Sequence, residues 1–156
     1  MKSINRDQIA EVVRNIKAAG KTLVFTNGCF DIIHAGHVRY LAEARNLGDC
    51  LIVGLNSDRS VQELKGPTRP VNHQDDRAEV MGALAAVDYV VIFDERTAEG
   101  LISEIKPDIY VKGGDYCIED IPEAKIVAAT GGKTVLIPEV PGRSSSNIIK
   151  KISETN

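Results

Sequence analysis

Two of the three histidines in this 156-residue chain lie three positions apart, with a glycine between them. His34 and His37 flank Gly36 where a helix is predicted to begin. This spacing directs both imidazoles toward one point, and Gly36 lets an anion approach the backbone. The helix N-terminus adds unpaired N–H groups and a partial positive charge. We therefore expect a phosphate-binding site here, although His34 could instead cap the loop while His37 packs against it.

Other phosphate and metal motifs are excluded by their spacing. A zinc site needs a third ligand, but His73 is the only other histidine and no HExxH motif is present. Residues 132–134 resemble the end of a Walker loop, yet Val127 stands where its first glycine belongs and the segment leads into a strand. No GxGxxG motif follows a predicted strand. We expect no metal held by protein ligands alone.

Apolar runs alternate with helical spacing along the chain, which predicts an α/β fold. Strands are predicted near residues 21–27, 50–55, 89–93, 109–112 and 134–137. Helices are predicted near residues 6–19, 36–46, 74–87, 98–105, 122–130 and 144–153. Continuous apolar strands joined by helices indicate a Rossmann-like, doubly wound, five-stranded parallel sheet with helices on both faces. The polar stretch 64–76 is predicted to be a mobile or substrate-covering loop.

The histidine cluster has a recognisable sequence context. With Gly28, Cys29, Phe30 and Asp31 before it, the segment 34–37 resembles the HxGH signature of the nucleotidyltransferase superfamily. Residues 142–148 are similar to the superfamily's second signature, a Ser/Thr-rich turn that opens the last helix. Residues 21–152 are similar to the ADP-heptose synthases, the adenylyltransferases of bacterial heptose metabolism. The resemblance implies one nucleotidyltransferase domain over residues 1–156, with an N-terminal helix at 1–20 and a catalytic core at 21–153.

This resemblance implies a reaction and its substrates. AMP would pass from ATP to D-glycero-D-manno-heptose 1-phosphate, giving ADP-heptose and pyrophosphate for lipopolysaccharide or surface glycan synthesis, with Mg²⁺ accompanying the nucleotide. Within the class, glycerol-3-phosphate cytidylyltransferase and FMN adenylyltransferase remain alternatives, and a non-catalytic nucleotide-binding module is an alternative of another class. Many relatives carry a sugar kinase before this domain. We expect a stand-alone transferase without kinase activity, and the family likeness alone suggests a homodimer.

The resemblance also assigns roles to individual residues. The catalytic residues are expected to be His34, His37 and Lys65. ATP contacts are expected from Cys29, Phe30, Gly36, Lys112, Asp115, Arg143, Ser144, Ser145 and Ser146. Acceptor contacts are expected from Asp31, Asp58, Arg69 and Arg77. Lys65, Arg69 and Arg77 could equally be solvated surface charges, and Asp31 and Asp58 could instead shape their loops.

The amino-acid composition indicates which classes of partner and which cellular compartment to expect. Hydrophobic residues make up 43% and charged residues 26%, which is typical of a globular domain, and the net charge of −3 argues against binding to nucleic acid or to anionic membranes. Only 4% of residues are aromatic, so small-molecule substrates are the expected partners. The three cysteines form no CxxC pair and no signal peptide or membrane span is evident, which favours the cytoplasm.

Overall fold

A six-stranded parallel sheet forms the centre of the molecule. The computed structural model describes residues 2–155. Its strands are β1 (Ser3–Ile4), β2 (Leu23–Gly28), β3 (Cys50–Asn56), β4 (Tyr89–Phe93), β5 (Ile109–Gly113) and β6 (Lys133–Ile137). They are arranged in the order β1-β4-β3-β2-β5-β6, and every neighbouring pair is parallel.

Helices cover both faces of this sheet. They are α1 (Ile9–Ala18), α2 (Ala35–Arg45), α3 (Asp58–Lys65), α4 (Gln74–Gly82), α5 (Glu99–Ile105), α6 (Ala124–Ala129) and α7 (Ser145–Thr155), with short 3-10 helices at Arg6–Gln8 and Ile118–Asp120. Side chains of α1, α5 and α6 pack in one core, and side chains of α2 and α4 pack in the other. The predicted Rossmann-like fold is confirmed. No helix among residues 2–155 is long and apolar enough to cross a membrane.

Strand β3 shows why the apolar runs form central strands. All seven of its residues are buried. Cys50 and Ile52 pack in the core beneath α1 and α5, whereas Leu51, Val53 and Leu55 pack in the core beneath α2 and α4. Because successive side chains point to opposite faces, a strand covered on both sides must be apolar throughout.

The sheet and one loop differ from the sequence prediction. The sheet has a sixth strand because Ser3 and Ile4 pair with Val90 and Val91 of β4, and two residues are too few to show a period. Helix α3 was not predicted, and it ends within the first two residues of the predicted polar loop. Ser57 caps its first turn, because the Ser57 hydroxyl accepts a 3.2 Å hydrogen bond from the Ser60 N–H. The loop that remains between α3 and α4 spans residues 66–73.

The direction of chain progression reverses at β2, and this positions the site. From β2 the chain moves outward through β3 and β4, and it then crosses back to place β5 and β6 on the other side of β2. In open α/β sheets, ligands bind beyond the carboxyl ends of the strands at such a reversal. The loops that follow β2 and β5 therefore face the expected binding crevice.

Candidate active site

A cleft of about 490 Å³ lies at this reversal, beyond the carboxyl ends of the strands. Most of the predicted site residues line it. They are Cys29, Phe30, Asp31, His34, Gly36, His37, Lys65, Arg69, Lys112, Arg143, Ser144, Ser145 and Ser146. Asp58, Arg77 and Asp115 do not line it. The two predicted signatures therefore lie around one cleft.

The loop after β2 turns sharply at Phe30. Phe30 has a left-handed backbone conformation, with φ of 44°, which is strained for a residue with a side chain. Its buried ring covers Gly28, where a Cβ atom would lie 2.9 Å from Phe30 Cε2. The same ring meets the His37 ring edge-on, with centroids 5.2 Å apart. Phe30 thus supports His37 as well as lining the cleft.

His34 caps helix α2 and thereby selects its own tautomer. Its Nδ1 accepts a 3.0 Å hydrogen bond from the Gly36 N–H, so the proton of the neutral ring is assigned to Nε2. Burial and the nearby Arg143 charge lower the pKa of His34. A Cβ atom on Gly36 would lie 2.8 Å from His34 Cε1 and 3.1 Å from Arg143 Cβ, so this position requires glycine.

His37 is held neutral against His34. The two rings stack with centroids 3.9 Å apart. Burial, followed by the influence of His34 and Lys65, lowers the pKa of His37 to about 4, while the Ile32 backbone partly opposes the shift. Its buried Nδ1 has no hydrogen-bond partner in the described part of the chain. At neutral pH both imidazoles can therefore donate N–H groups to a phosphate without carrying positive charge.

The three serines of the second signature perform three different tasks. Ser144 Oγ accepts a 3.0 Å hydrogen bond from the Asn147 N–H and so caps α7. Ser145 Oγ donates a 3.1 Å hydrogen bond to the Ile32 carbonyl and joins the turn to the histidine loop. Ser146 is exposed at the cleft, and its hydroxyl makes no hydrogen bond within residues 2–155. Helix capping therefore accounts for only one of the three hydroxyls.

Asp31 organises the loop on the basic side of the cleft. Its carboxylate accepts hydrogen bonds from the Val71 and Asn72 N–H groups and from Arg69 Nε, at 2.8 to 3.0 Å. Burial alone would raise the pKa of Asp31, but these donors outweigh it and hold the pKa below its usual value. Asp31 and Arg69 therefore fasten residues 66–73 to the loop after β2, which agrees with a loop-shaping role for Asp31.

Arg77 and Asp58, which the sequence predicts to contact the acceptor, do not line the cleft. Arg77 is 2% exposed, and its guanidinium donates to the carbonyls of Cys29, Asn56 and Asn72 at 2.7 to 2.9 Å. It also donates to Asp58 Oδ1 at 2.8 Å. Each guanidinium nitrogen is therefore hydrogen-bonded within the protein. Arg77 braces the loops behind the cleft, and Asp58 is its ion-pair partner.

Asp115, which is predicted to contact ATP, does not line the cleft either, whereas neighbouring residues do. Gly114, with φ of 110°, turns the chain after β5 and leaves Asp115 exposed outside the cleft, while Tyr116 lines it. Lys112 Nζ lies 5.8 Å from the centroid of the Tyr116 ring. Cleft residues absent from the sequence prediction include Asn27, Tyr40, Arg96, Glu123 and Glu139. Arg96 and Glu139 follow predicted strands, so they could have been found from the tendency of ligands to bind beyond the carboxyl ends of strands. Glu123 belongs to no sequence motif.

A family model described as cytidylyltransferase-like matches residues 25–152, which include both signatures. The chain belongs to the cytidylyltransferase-like family. The predicted membership of the nucleotidyltransferase superfamily is therefore confirmed.

Curated relatives share much of this sequence. The bifunctional protein HldE of Methylobacillus flagellatus is 53% identical over 152 residues, covering 97% of this chain and 31% of that protein. The bifunctional protein HldE of Trichlorobacter lovleyi is 51% identical over 150 residues, covering 96% of this chain and 30% of that protein. The chain thus spans about a third of the length of these relatives.

Two solved structures share the fold. A lipopolysaccharide core biosynthesis protein from Thermoplasma volcanium superposes with a TM-score of 0.64 at 28% identity, covering 78% of this chain and 98% of the other. A pantoate-beta-alanine ligase from Francisella tularensis superposes with a TM-score of 0.60 at 14% identity, covering 100% of this chain and 80% of the other. The second likeness concerns the fold alone.

Replacing Arg77 tests its bracing role. Arg77→Met leaves three carbonyls, of which only that of Asn56 is fully buried, and Asp58 Oδ1 without this donor, so we expect the free energy of unfolding to fall by about 3–5 kcal/mol in urea titrations. The control Arg59→Met removes a guanidinium from a side chain that is 78% exposed and makes a single ion pair, and it should change the value by less than about 0.5 kcal/mol. Equal unfolding midpoints for the two variants would contradict the bracing role.

The low pKa of His37 predicts a pH dependence of stability. From pH 6.5 down to about pH 4, the unfolded chain binds a proton at this position that the folded chain does not bind. Stability should therefore decrease as the pH falls through this window, and less steeply in His37→Gln. Imidazole resonances in an NMR titration give the pKa directly, and a His37 value near 6.5 in the free protein would be inconsistent with the burial described here.

Proposed function

We propose that this chain is an adenylyltransferase that transfers AMP from ATP to D-glycero-D-manno-heptose 1-phosphate, forming ADP-heptose and releasing pyrophosphate. The observation that carries the proposal is the 3.1 Å hydrogen bond from Ser145 Oγ to the Ile32 carbonyl, across 113 positions of sequence. It brings the N-termini of α2 and α7 to one cleft. Two helix N-termini beside Arg143 make a suitable environment for a triphosphate.

The groups around the cleft suit in-line transfer at the α-phosphorus. A phosphate oxygen of the acceptor forms a bond to that phosphorus, while the bond from phosphorus to the oxygen that bridges to the β-phosphate breaks. Pyrophosphate leaves with the bridging oxygen and the electron pair. Because the attacking phosphate is already ionised, the step requires positioning and charge stabilisation rather than a general base.

The neutral imidazoles fit this role. His37 donates an N–H to the α-phosphate, and His34 donates its Nε2–H to the triphosphate. Arg143 and the free hydroxyl of Ser146 bind the β- and γ-phosphates, and Lys65 offsets the negative charge that accumulates during transfer. The low pKa of His37 supports a role in which the neutral ring donates a hydrogen bond. A role as a general base is not needed, because the attacking phosphate oxygen of the acceptor is already ionised.

The heptose acceptor is supported by sequence and structural likeness. The HldE relatives are about half identical over nearly all of this chain, and the T. volcanium protein of 28% identity is described as acting in lipopolysaccharide core biosynthesis. The reaction belongs in the cytoplasm with small-molecule partners and without nucleic acid or membrane. A homodimer remains a prediction from the family likeness.

Magnesium is proposed to enter with the nucleotide. Within residues 2–155, no group of three His, Cys, Asp or Glu side chains is arranged to hold a metal ion. The phosphate oxygens and water would therefore supply most of its ligands, which is usual for Mg²⁺ bound to a triphosphate. Its contribution would be to neutralise phosphate charge.

Pyrophosphate release with paired substrates tests the reaction. We expect turnover with MgATP and D-glycero-D-manno-heptose 1-phosphate, and much less with CTP and glycerol 3-phosphate or with ATP and FMN. Faster turnover with either of those pairs would reassign the acceptor. ATP binding without turnover on any acceptor would instead indicate a non-catalytic nucleotide-binding module.

Replacing His37 tests its part in transfer. His37→Ala removes the donor to the α-phosphate and should lower kcat about 10²- to 10³-fold, a loss typical of a deleted transition-state donor. Thermal unfolding of the variant should remain cooperative. His73→Ala is a matched control, since its side chain is 87% exposed and lies outside the cleft, and it should turn over normally. Unchanged turnover in His37→Ala would remove His37 from the mechanism.

A further inference from the structure

Glu123 is a buried carboxylate that the transfer mechanism does not use. It directly precedes α6, is 4% exposed and lines the cleft. Its Oε2 is buried without a hydrogen-bond partner among residues 2–155, and its side chain does not cap α6. Burying a polar group without a partner is unfavourable, so such a group indicates a missing donor.

Neighbouring protein groups do not supply that donor. Burial, followed by the charge of Glu123, raises the pKa of Tyr110, which shows that the two side chains are close. The Tyr110 hydroxyl is directed elsewhere, because it donates a 2.6 Å hydrogen bond to Asn27 Oδ1. No ion pair in the described part of the chain includes Glu123. Its unused acceptor capacity therefore remains at the cleft.

The strand order gives the two sides of the cleft different character. Lys65, Arg69 and Arg96 lie on the β3–β4 side of β2, and their charges suit the phosphate of the acceptor. Glu123 and Glu139 lie on the β5–β6 side together with Lys112 and Arg143, so this side carries both signs of charge, and a sugar phosphate placed against its carboxylates would be repelled. An uncharged group that carries N–H or O–H donors suits this side. The nucleoside of ATP is such a group, with two ribose hydroxyls and the exocyclic amine of adenine.

We propose that Glu123 is a specificity-determining residue that accepts a hydrogen bond from a donor on the nucleoside half of ATP. This inference rests on the proposed function, because it assumes that ATP occupies the cleft. A buried carboxylate that accepts a hydrogen bond from a ribose hydroxyl or a base amine discriminates strongly between nucleotides with and without that donor. A nucleotide without the donor leaves the carboxylate charge buried and unpaired.

Steady-state kinetics with truncated nucleotides test the proposal. The wild-type protein, E123Q and E123A are compared with ATP, 2′-deoxy-ATP, 3′-deoxy-ATP and purine riboside triphosphate, which lacks the exocyclic amine. We expect E123A to lower kcat/KM for ATP about 10- to 100-fold, with the KM for the sugar phosphate unchanged. E123Q should lose less, because its amide oxygen still accepts. The control E119A alters an exposed carboxylate that does not line the cleft and should resemble the wild type.

The analogue that lacks the bonded donor should show a distinct pattern. With that nucleotide, kcat/KM of the wild type should fall by roughly the factor by which E123A lowers kcat/KM for ATP. In E123A, changing from ATP to that nucleotide should lower kcat/KM little further, and this pattern identifies the donor. An equal effect of E123A on all four nucleotides would overturn the proposal. So would an effect confined to melting temperature or to the KM of the sugar phosphate. E123Q preserves side-chain volume, so the comparison remains informative if E123A folds poorly.

Equilibrium binding separates this inference from the proposed reaction. Calorimetric titration of ATP and the three analogues into the wild type and E123A requires no turnover. If the wild type releases no pyrophosphate but binds ATP more tightly than E123A does by the predicted factor, the proposed reaction fails and the role of Glu123 stands. If turnover is present and E123A binds all four nucleotides as tightly as the wild type does, the role of Glu123 fails and the reaction stands.

Discussion

The contact between the serine turn and the histidine loop is the constraint on which the cleft depends. Taken alone, each segment is the start of a helix, and the partial charge there contributes only about 0.3–1 kcal/mol toward an exposed anion. The Ser145 hydrogen bond to the Ile32 carbonyl brings these two ends together beside Arg143. Gly36 permits this approach, because a Cβ atom there would meet both His34 and Arg143. The glycine of the signature thus serves the packing of the two segments as much as it serves access for an anion.

The protonation state of the histidines follows from the same crowding. A protonated His37 would be poorly solvated and close to both His34 and Lys65, which accounts for its low pKa. At the proposed phosphate site, formal positive charge therefore comes from Arg143, Lys65 and Lys112, and the imidazoles would add directed N–H donors. Because the imidazoles are neutral, the empty site does not add two more positive charges to those of Arg143, Lys65 and Lys112, and it can still donate hydrogen bonds to a polyanion. The interpretations of His34 as a cap and as a phosphate ligand are compatible, because Nδ1 accepts from the backbone while Nε2 remains free to donate.

The parts of the structure that sequence could predict are those with local signals. Each of the five longer strands contains an apolar run, and the histidine spacing predicts a phosphate site whichever residues surround it. Strand β1 has only two residues and α3 has few apolar ones, so neither produces a clear period. The sequence around Arg77 does not show whether its side chain is solvated or buried, because the carbonyls that bind it come from two loops and the end of β3. Glu123 belongs to no motif, and only the packing of α6 against the sheet makes it buried.

The two sides of the cleft divide the problem of recognition. Most of the groups proposed to bind phosphate lie at the N-termini of α2 and α7, in the middle of the cleft. In the proposed reaction, the flanking loops would recognise the nucleoside of ATP and the sugar phosphate. On the acceptor side, Asp31 partly neutralises Arg69 and fastens residues 66–73, so this wall is formed before substrate arrives. Lys65 and Arg96 make no ion pair among the described residues, so they are the cations on that wall whose charge remains available to an incoming phosphate.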